Sequence, residues 1–171
     1  MAKKTVAPAE NDRIRLRLLA EEDLEQTLSW RNQDDIRKWF FFQDRIEPAN
    51  HRAWFEKYQA RDNDFVFIIE AKDLDGIPIG QIALYDIDWE QRRGEYGRLM
   101  IGEPAAKGKG YAQDATQLVL EVAAEQFGLK EVYLEVYTHN QAARRVYEKS
   151  GFIVTESGPE VTKMSYFTHH D

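Results

Sequence analysis

The segment Lys107 to Ala115, KGKGYAQDA, constrains this chain more than any other: two glycines alternate with two lysines directly ahead of a stretch with helical periodicity. Gly108 and Gly110 let the backbone approach a ligand with no Cβ in the way. Successive N–H groups of such a loop, joined by those of the first helical turn, make a cup for an anion. Spacing separates the ways of using it. A P-loop needs a glycine directly before its lysine and Ser or Thr directly after, but Lys107 follows Ala106 and precedes Gly108. A dinucleotide fingerprint begun at Gly108 and Gly110 puts its third small residue on Gln113, and the preceding strand belongs to a meander rather than a parallel βαβ unit. A pyrophosphate cup and a plain exposed turn before a helix remain.

The flanking patterns describe an α+β sheet protein. RIRLRLL from Arg13 alternates like a strand with one buried face, and AEEDLEQTLSWRN, DDIRKWF and EPANHRAWFEKYQARD space their apolar residues as helices, with a break near Asn32 and Pro48 in a first turn. FVFIIEA, IPIGQIALYDID and EYGRLMIG, separated by polar turns, form an antiparallel meander. Past the loop, Leu118, Val119, Val122 and Ala123 line one stripe of a helix capped by Gly128. The strand EVYLEVYT, the helix NQAARRVYEKS and the strands FIVTE and VTKMSYF complete the order.

One domain over residues 13–171 suits this length, with residues 1–12, polar and lacking an apolar signal core, as a frayed N-terminus. No window approaches the ~18 apolar residues of a membrane span, and the absence of cysteine removes disulfides, thiol nucleophiles and thiolate-bound metal. These features fit a cytoplasmic protein. A net charge of −7 argues against nucleic acid and leans toward a cationic partner. His51, His139, His169 and His170 have no metal-ligand spacing, so no metal is expected. Edge strands at the C-terminus leave a homodimer open.

A second constellation lies at NQAARRVYEKSGF. By itself it reads as a capped amphipathic helix, with Asn140 as N-cap, Tyr147 packed inward and Gly151 as C-cap. Together, KGKGYA and NQAARRVYEKSGF behind the strand EYGRLMIGEP resemble the GNAT superfamily of N-acetyltransferases, in order of elements from about Arg13 to Phe167. The likeness extends to the ribosomal-protein, spermidine and amino-sugar-nucleotide members. Lys107 stands where that family usually carries Gln or Arg, keeping the charge and losing a bidentate contact.

The resemblance implies the GNAT fold: a mixed, mostly antiparallel central sheet flanked by helices, with two splayed central strands. It implies acetyl-CoA as co-substrate, its pyrophosphate held by Lys107, Gly108, Lys109, Gly110, Tyr111 and Ala112, its pantetheine arm along Met100, Ile101 and Gly102, and Asn140 touching it as well. Acetyl would pass to the primary amine of a small molecule by direct attack, a strand N–H near Ile101 or Gly102 meeting the oxyanion. Tyr147 matches the family's general acid, and Glu95 or a water chain is the proton acceptor. Trp30, Arg31, Trp39 and His51 are candidate acceptor contacts, set against the simpler reading that these aromatics pack a helical layer. A non-catalytic acetyl-CoA sensor and a protein N-terminal acetyltransferase stand as alternatives.

Overall fold

The computed structural model describes residues 3–168. Among them, in chain order, are β1 (Ala9–Glu10), β2 (Ile14–Leu18), α1 (Leu24–Arg31), α2 (Asp34–Arg37), α3 (Pro48–Ala60), β3 (Phe65–Ala71), β4 (Ile77–Asp88), β5 (Arg93–Ile101), α4 (Tyr111–Glu125), β6 (Glu131–Tyr137), α5 (Gln141–Lys149), β7 (Ile153–Ser157) and β8 (Val161–Phe167). The eight strands form one sheet in the order β1-β2-β3-β4-β5-β6-β8-β7. Every pairing is antiparallel except β5 with β6.

That exception organises the molecule. Parallel pairing joins only Arg93, Gly94 and Glu95 to Glu131, Val132 and Tyr133. Beyond Glu95 and Tyr133 the two strands part, and each continues with one partner, β4 on one side and β8 on the other. The sheet is open at its middle, as the splayed-strand expectation requires.

Local chemistry sets the elements around this opening. In α4, Leu118, Val119, Leu120, Val122 and Ala123 are all buried against the sheet. The helix stops where Gly128 takes φ +65° and the Leu129 N–H returns to the Ala123 carbonyl at 2.9 Å, closing a seven-residue loop through a left-handed residue. On the opposite face, α1 and α3 cover the N-terminal half through Leu24, Phe55 and Tyr58 on Val66, Ile68 and Ala83. The same face of the C-terminal half is bare: Glu135 of β6 and Lys163 and Phe167 of β8 are exposed. A groove of about 330 Å³ runs across it.

One expectation is corrected here. Part of the segment expected to fray is paired: Ala9 and Glu10 lie against Leu16 and Arg15, and the Lys3 ammonium donates to the Arg61 carbonyl at 2.6 Å and to that of Asp64. Two residues of strand are too few for alternation to register. His169 and His170 lie outside the described residues.

Candidate active site

A cleft of about 550 Å³ fills the opening between β5 and β6. At its wide end lies the glycine loop. Gly108 and Gly110 take φ values of +74° and +81°, and Gly110 is the N-cap of α4. A side chain would be strained at either position, although at Gly108 nothing would crowd it. Among the described residues the N–H groups of 108–110 have no protein acceptor, and the first turn of α4 leaves more donors free beside them. Arg13 braces the loop from behind, donating to Asp114 at 2.7 Å and to the Lys109 carbonyl at 2.8 Å while lying 4.3 Å over the Tyr111 ring. Tyr111 donates to Asp73. The cup is thus set before any anion reaches it.

Along the cleft, β5 offers one free backbone edge. The Gly102 N–H donates to the Ile79 carbonyl at 2.8 Å. Bonded pairs recur at every second residue of an antiparallel ladder, so Ile101, opposite Gly80, turns its N–H away from β4 and toward the opening. Gly102 itself is spent on the fold. Its carbonyl accepts from Gln33 at 3.1 Å, and a Cβ on it would fall inside the Trp30 indole, 2.6 Å from that residue's Cβ. This corrects the expectation that its N–H is available to an oxyanion.

Residues 13–153 match the family model described as an acetyltransferase (GNAT) domain. The chain belongs to the GNAT family. It is an N-acetyltransferase, and acetyl-CoA is its co-substrate. The free N–H groups of the loop and of Ile101 fit that molecule's diphosphate and its amide-bearing arm. Over 141 residues, 82% of this chain and 73% of the relative, it is 27% identical to the spermidine N(1)-acetyltransferase of Escherichia coli K12. The Vibrio cholerae spermidine N-acetyltransferase in complex with CoA and spermine superposes with a TM-score of 0.83 at 23% identity, over 92% of this chain and 96% of that one. FdhC, a nucleotide-linked sugar GNAT, gives 0.82 at 23% identity over 95% and 91%.

In this GNAT enzyme the narrow end of the cleft holds the candidate chemistry. Glu95, the last β5 residue paired to β6, lines both the cleft and the groove on the bare sheet face. Its carboxylate accepts from the Tyr85 hydroxyl at 3.1 Å. Burial raises its pKa above the ordinary glutamate value and neighbouring Asp86 and Glu135 add to this, while the Tyr85 hydrogen bond and Arg98 oppose it. Tyr147 is buried, edge-on to Tyr96 with ring centroids 5.3 Å apart, and burial pushes its phenol up to about 12. Asn140 caps α5, accepting from the Ala143 N–H at 3.3 Å, and lines the cleft with Tyr147, Met100 and Ala112.

The remaining candidates divide. Lys107 lines the cleft, but its ammonium pairs with Asp35 at 2.8 Å and reaches Gln33 at 3.3 Å, so it points to α2 and not into the cup. Trp39 lines the cleft 5.4 Å from the His139 ring. Trp30, Arg31 and His51 do not line it. Trp30 is buried with Ile36 and Met100, and Arg31 lies 4.3 Å over the Phe40 ring, donating to the Phe42 carbonyl. His51 stacks on Trp54 at 5.6 Å with Nε2 3.1 Å from the Thr27 hydroxyl, and burial lowers its pKa. Among the described residues no three metal-ligating side chains converge. Sequence reasoning missed Tyr85, Glu135 and Asp35. None of them left a local signal: a register shift between Tyr85 and Asp88 separates the Tyr85–Glu95 pair from the β4–β5 turn, so counting from the turn would not have placed it.

Proposed function

We propose that this enzyme acetylates a primary amine of a small cationic molecule, of the alkylamine or polyamine class, with Glu95 as proton acceptor and Tyr147 as donor to the leaving thiolate. The carrying observation is the position of Glu95 where the cleft meets the groove. The cleft takes the acetyl donor, so the groove is the acceptor's approach. Its charges favour a cation. Arg93 and Lys163 are engaged with Glu131, Glu135 and Glu156 at 3.3, 3.9 and 3.8 Å, whereas Glu95, which lines the groove, has no salt-bridge partner among the described residues, and Asp86, outside the lining, adds negative charge near it. A nucleotide-linked sugar would bring phosphates and need a free guanidinium. Arg98, beside the cleft, is committed to Asp64 at 2.7 Å.

The amine arrives as an ammonium, with a pKa near ~10.4 for an alkyl amine. Glu95 accepts one proton, and its raised pKa makes it a better acceptor than a free glutamate. The freed lone pair attacks the thioester carbonyl, and the oxygen that gains charge needs a fixed donor, a role open to the Ile101 N–H. The C–S bond then breaks and the nitrogen loses its second proton. In balance, an ammonium and a thioester give an amide, a thiol and one proton released through Glu95. A phenol near 12 facing a thiol of ~8.5 does not surrender its proton outright, so Tyr147 acts chiefly by a hydrogen bond to the departing sulfur.

The test is thiol release from acetyl-CoA against spermidine, putrescine, an amino-sugar nucleotide and a short peptide with a free N-terminus. Turnover on the polyamines that falls at least a hundredfold in Glu95→Gln supports the reading. Turnover confined to the sugar nucleotide overturns the acceptor class. If acetyl-CoA raises the melting temperature and no amine reacts, either the acceptor lies outside these four compounds or the protein is a sensor.

A further inference from the structure

Tyr85 takes no part in the chemistry above, yet four features of the fold converge on it. It lies directly opposite Glu95 in the β4–β5 register, and its hydroxyl donates to Glu95 Oε2 at 3.1 Å. Its ring is held by Arg98, whose guanidinium carbon is 4.1 Å from the centroid. Arg98 is fixed in turn by the buried Asp64 carboxylate at 2.7 and 3.3 Å. Arg98 also occupies a β-bulge: two β5 residues, Arg98 and Leu99, face the single Ile82, and Arg98 takes φ +55°, a conformation a non-glycine residue holds only when its surroundings enforce it.

The fourth feature is a missing side chain. A Cβ on Gly97 would lie 2.6 Å from the Tyr85 hydroxyl oxygen. The Gly97 backbone is not left-handed, so conformational freedom does not explain glycine there. Room for the phenol does.

We propose that Tyr85 is the positioning residue of the proton acceptor, holding the Glu95 carboxylate at the junction of cleft and groove, with Gly97 as the space that admits its hydroxyl. This rests on the assignment of Glu95 as proton acceptor made above. Around that carboxylate stand Tyr85 and Asp86 from β4, Arg98 from β5, and Tyr133 and Glu135 from β6. Burial, Asp86 and Glu135 favour the protonated form, while Tyr85 and Arg98 favour the ionised one. Removing the hydroxyl therefore moves Glu95 titration to higher pH. A proton acceptor that stays protonated to higher pH loses activity earlier on acidification, so the acidic limb of turnover moves the same way.

The deciding readout needs no acceptor: NMR titration of the full-length protein carrying ¹³C-labelled glutamate, with the Glu95 resonance assigned by its loss in Glu95→Gln. Tyr85→Phe raises the Glu95 midpoint. Gly97→Ala, which displaces the hydroxyl without deleting it, shifts it in the same direction and serves if Tyr85→Phe folds poorly. Asp86→Asn shifts it downward. With spermidine as probe acceptor, turnover by Tyr85→Phe at the acidic end falls about fivefold, the size of one screened hydrogen bond to a carboxylate, while the KM for acetyl-CoA is unchanged. An unmoved midpoint in both Tyr85→Phe and Gly97→Ala overturns the proposal. So does a rate lost equally at every pH, which is what packing alone would give. Should Glu95→Gln keep wild-type turnover, the proton-acceptor assignment fails and the positioning role falls with it, whatever the midpoint shows about the hydrogen bond.

Discussion

Replacing Gly102 by alanine adds one methyl group where the Trp30 indole already lies. The new carbon would be 2.6 Å from Trp30 Cβ and closer still to Cγ and Cδ1 of the ring. Restoring carbon–carbon separations of about 3.5 Å requires the indole or the main chain to move by roughly 1 Å or more. Neither is free to do so. Trp30 is 3% exposed and packed with Ile36 and Met100, and the Gly102 backbone makes hydrogen bonds at both its N–H and its carbonyl. Overpacking of this kind costs about 1–3 kcal/mol, and yielding one of the two backbone bonds adds about 1 kcal/mol. The expected destabilisation is about 2–4 kcal/mol, which for a chain of this size lowers Tm by roughly 5–12 °C. Thermal and urea unfolding of Gly102→Ala, Trp30→Leu and the double variant measure it. The double variant should be more stable than the sum of the singles by about 1 kcal/mol or more, because the smaller side chain leaves the methyl group its space. A Tm within about 2 °C of wild type, or strict additivity, refutes the reasoning.

Three further outcomes follow from the site. Tyr147→Phe keeps its affinity for acetyl-CoA and loses about 10²-fold in kcat, as read by calorimetry and thiol release, and full turnover removes its role at the sulfur. Asp35→Asn frees the Lys107 ammonium and tightens CoA binding a few-fold at low salt, whereas Asp35→Asn in a Lys107→Met background changes nothing; loss of affinity in the single variant would mean that Asp35 supports the cup. In the pH profile of kcat/KM, activity falls on acidification through a value above ~4.3, because burial raises Glu95. Tyr147, pushed up to about 12, gives no alkaline loss near the free phenol's ~10. An alkaline limb there that disappears in Tyr147→Phe would contradict its burial.

What the sequence disclosed depended on the range of each interaction. The strand IPIGQIALYDID is β4 residue for residue, because a largely apolar run bounded by polar turns marks a strand covered on both faces, as the unbroken burial from Ile79 to Leu84 shows. The caps at Asn140 and Gly128 and the glycine loop were legible for a related reason: each is a backbone requirement met by one residue type within a few positions. Trp30 was not legible. An aromatic in WRN reads more readily as packing than as a ligand-stacking ring without excluding either, and only the distant Gly102 decides the matter. Lys107 was placed in the correct loop with its partner unforeseen, since Asp35 is 72 residues away. The Asp64–Arg98–Tyr85 chain escaped altogether: it crosses three strands or loops and depends on a bulge that local propensity does not announce.

The three-residue seam between β5 and β6 bears on how long the molecule lasts as well as on what it binds. Past Glu95 and Tyr133, two strand edges face each other with no partner, so the folded chain carries inside itself the kind of unpaired edge that proteins usually shield from water and from other chains. A co-substrate arm lying along Ile101 would occupy that gap. A ligand that binds only the folded form stabilises it by about 2.7 kcal/mol at a hundred times its Kd. Saturating acetyl-CoA is therefore expected to slow unfolding and proteolysis of the purified protein. Without it, backbone pairing between the two half-sheets is limited to three residue pairs, and the core under α4 that spans both halves carries the rest of their connection.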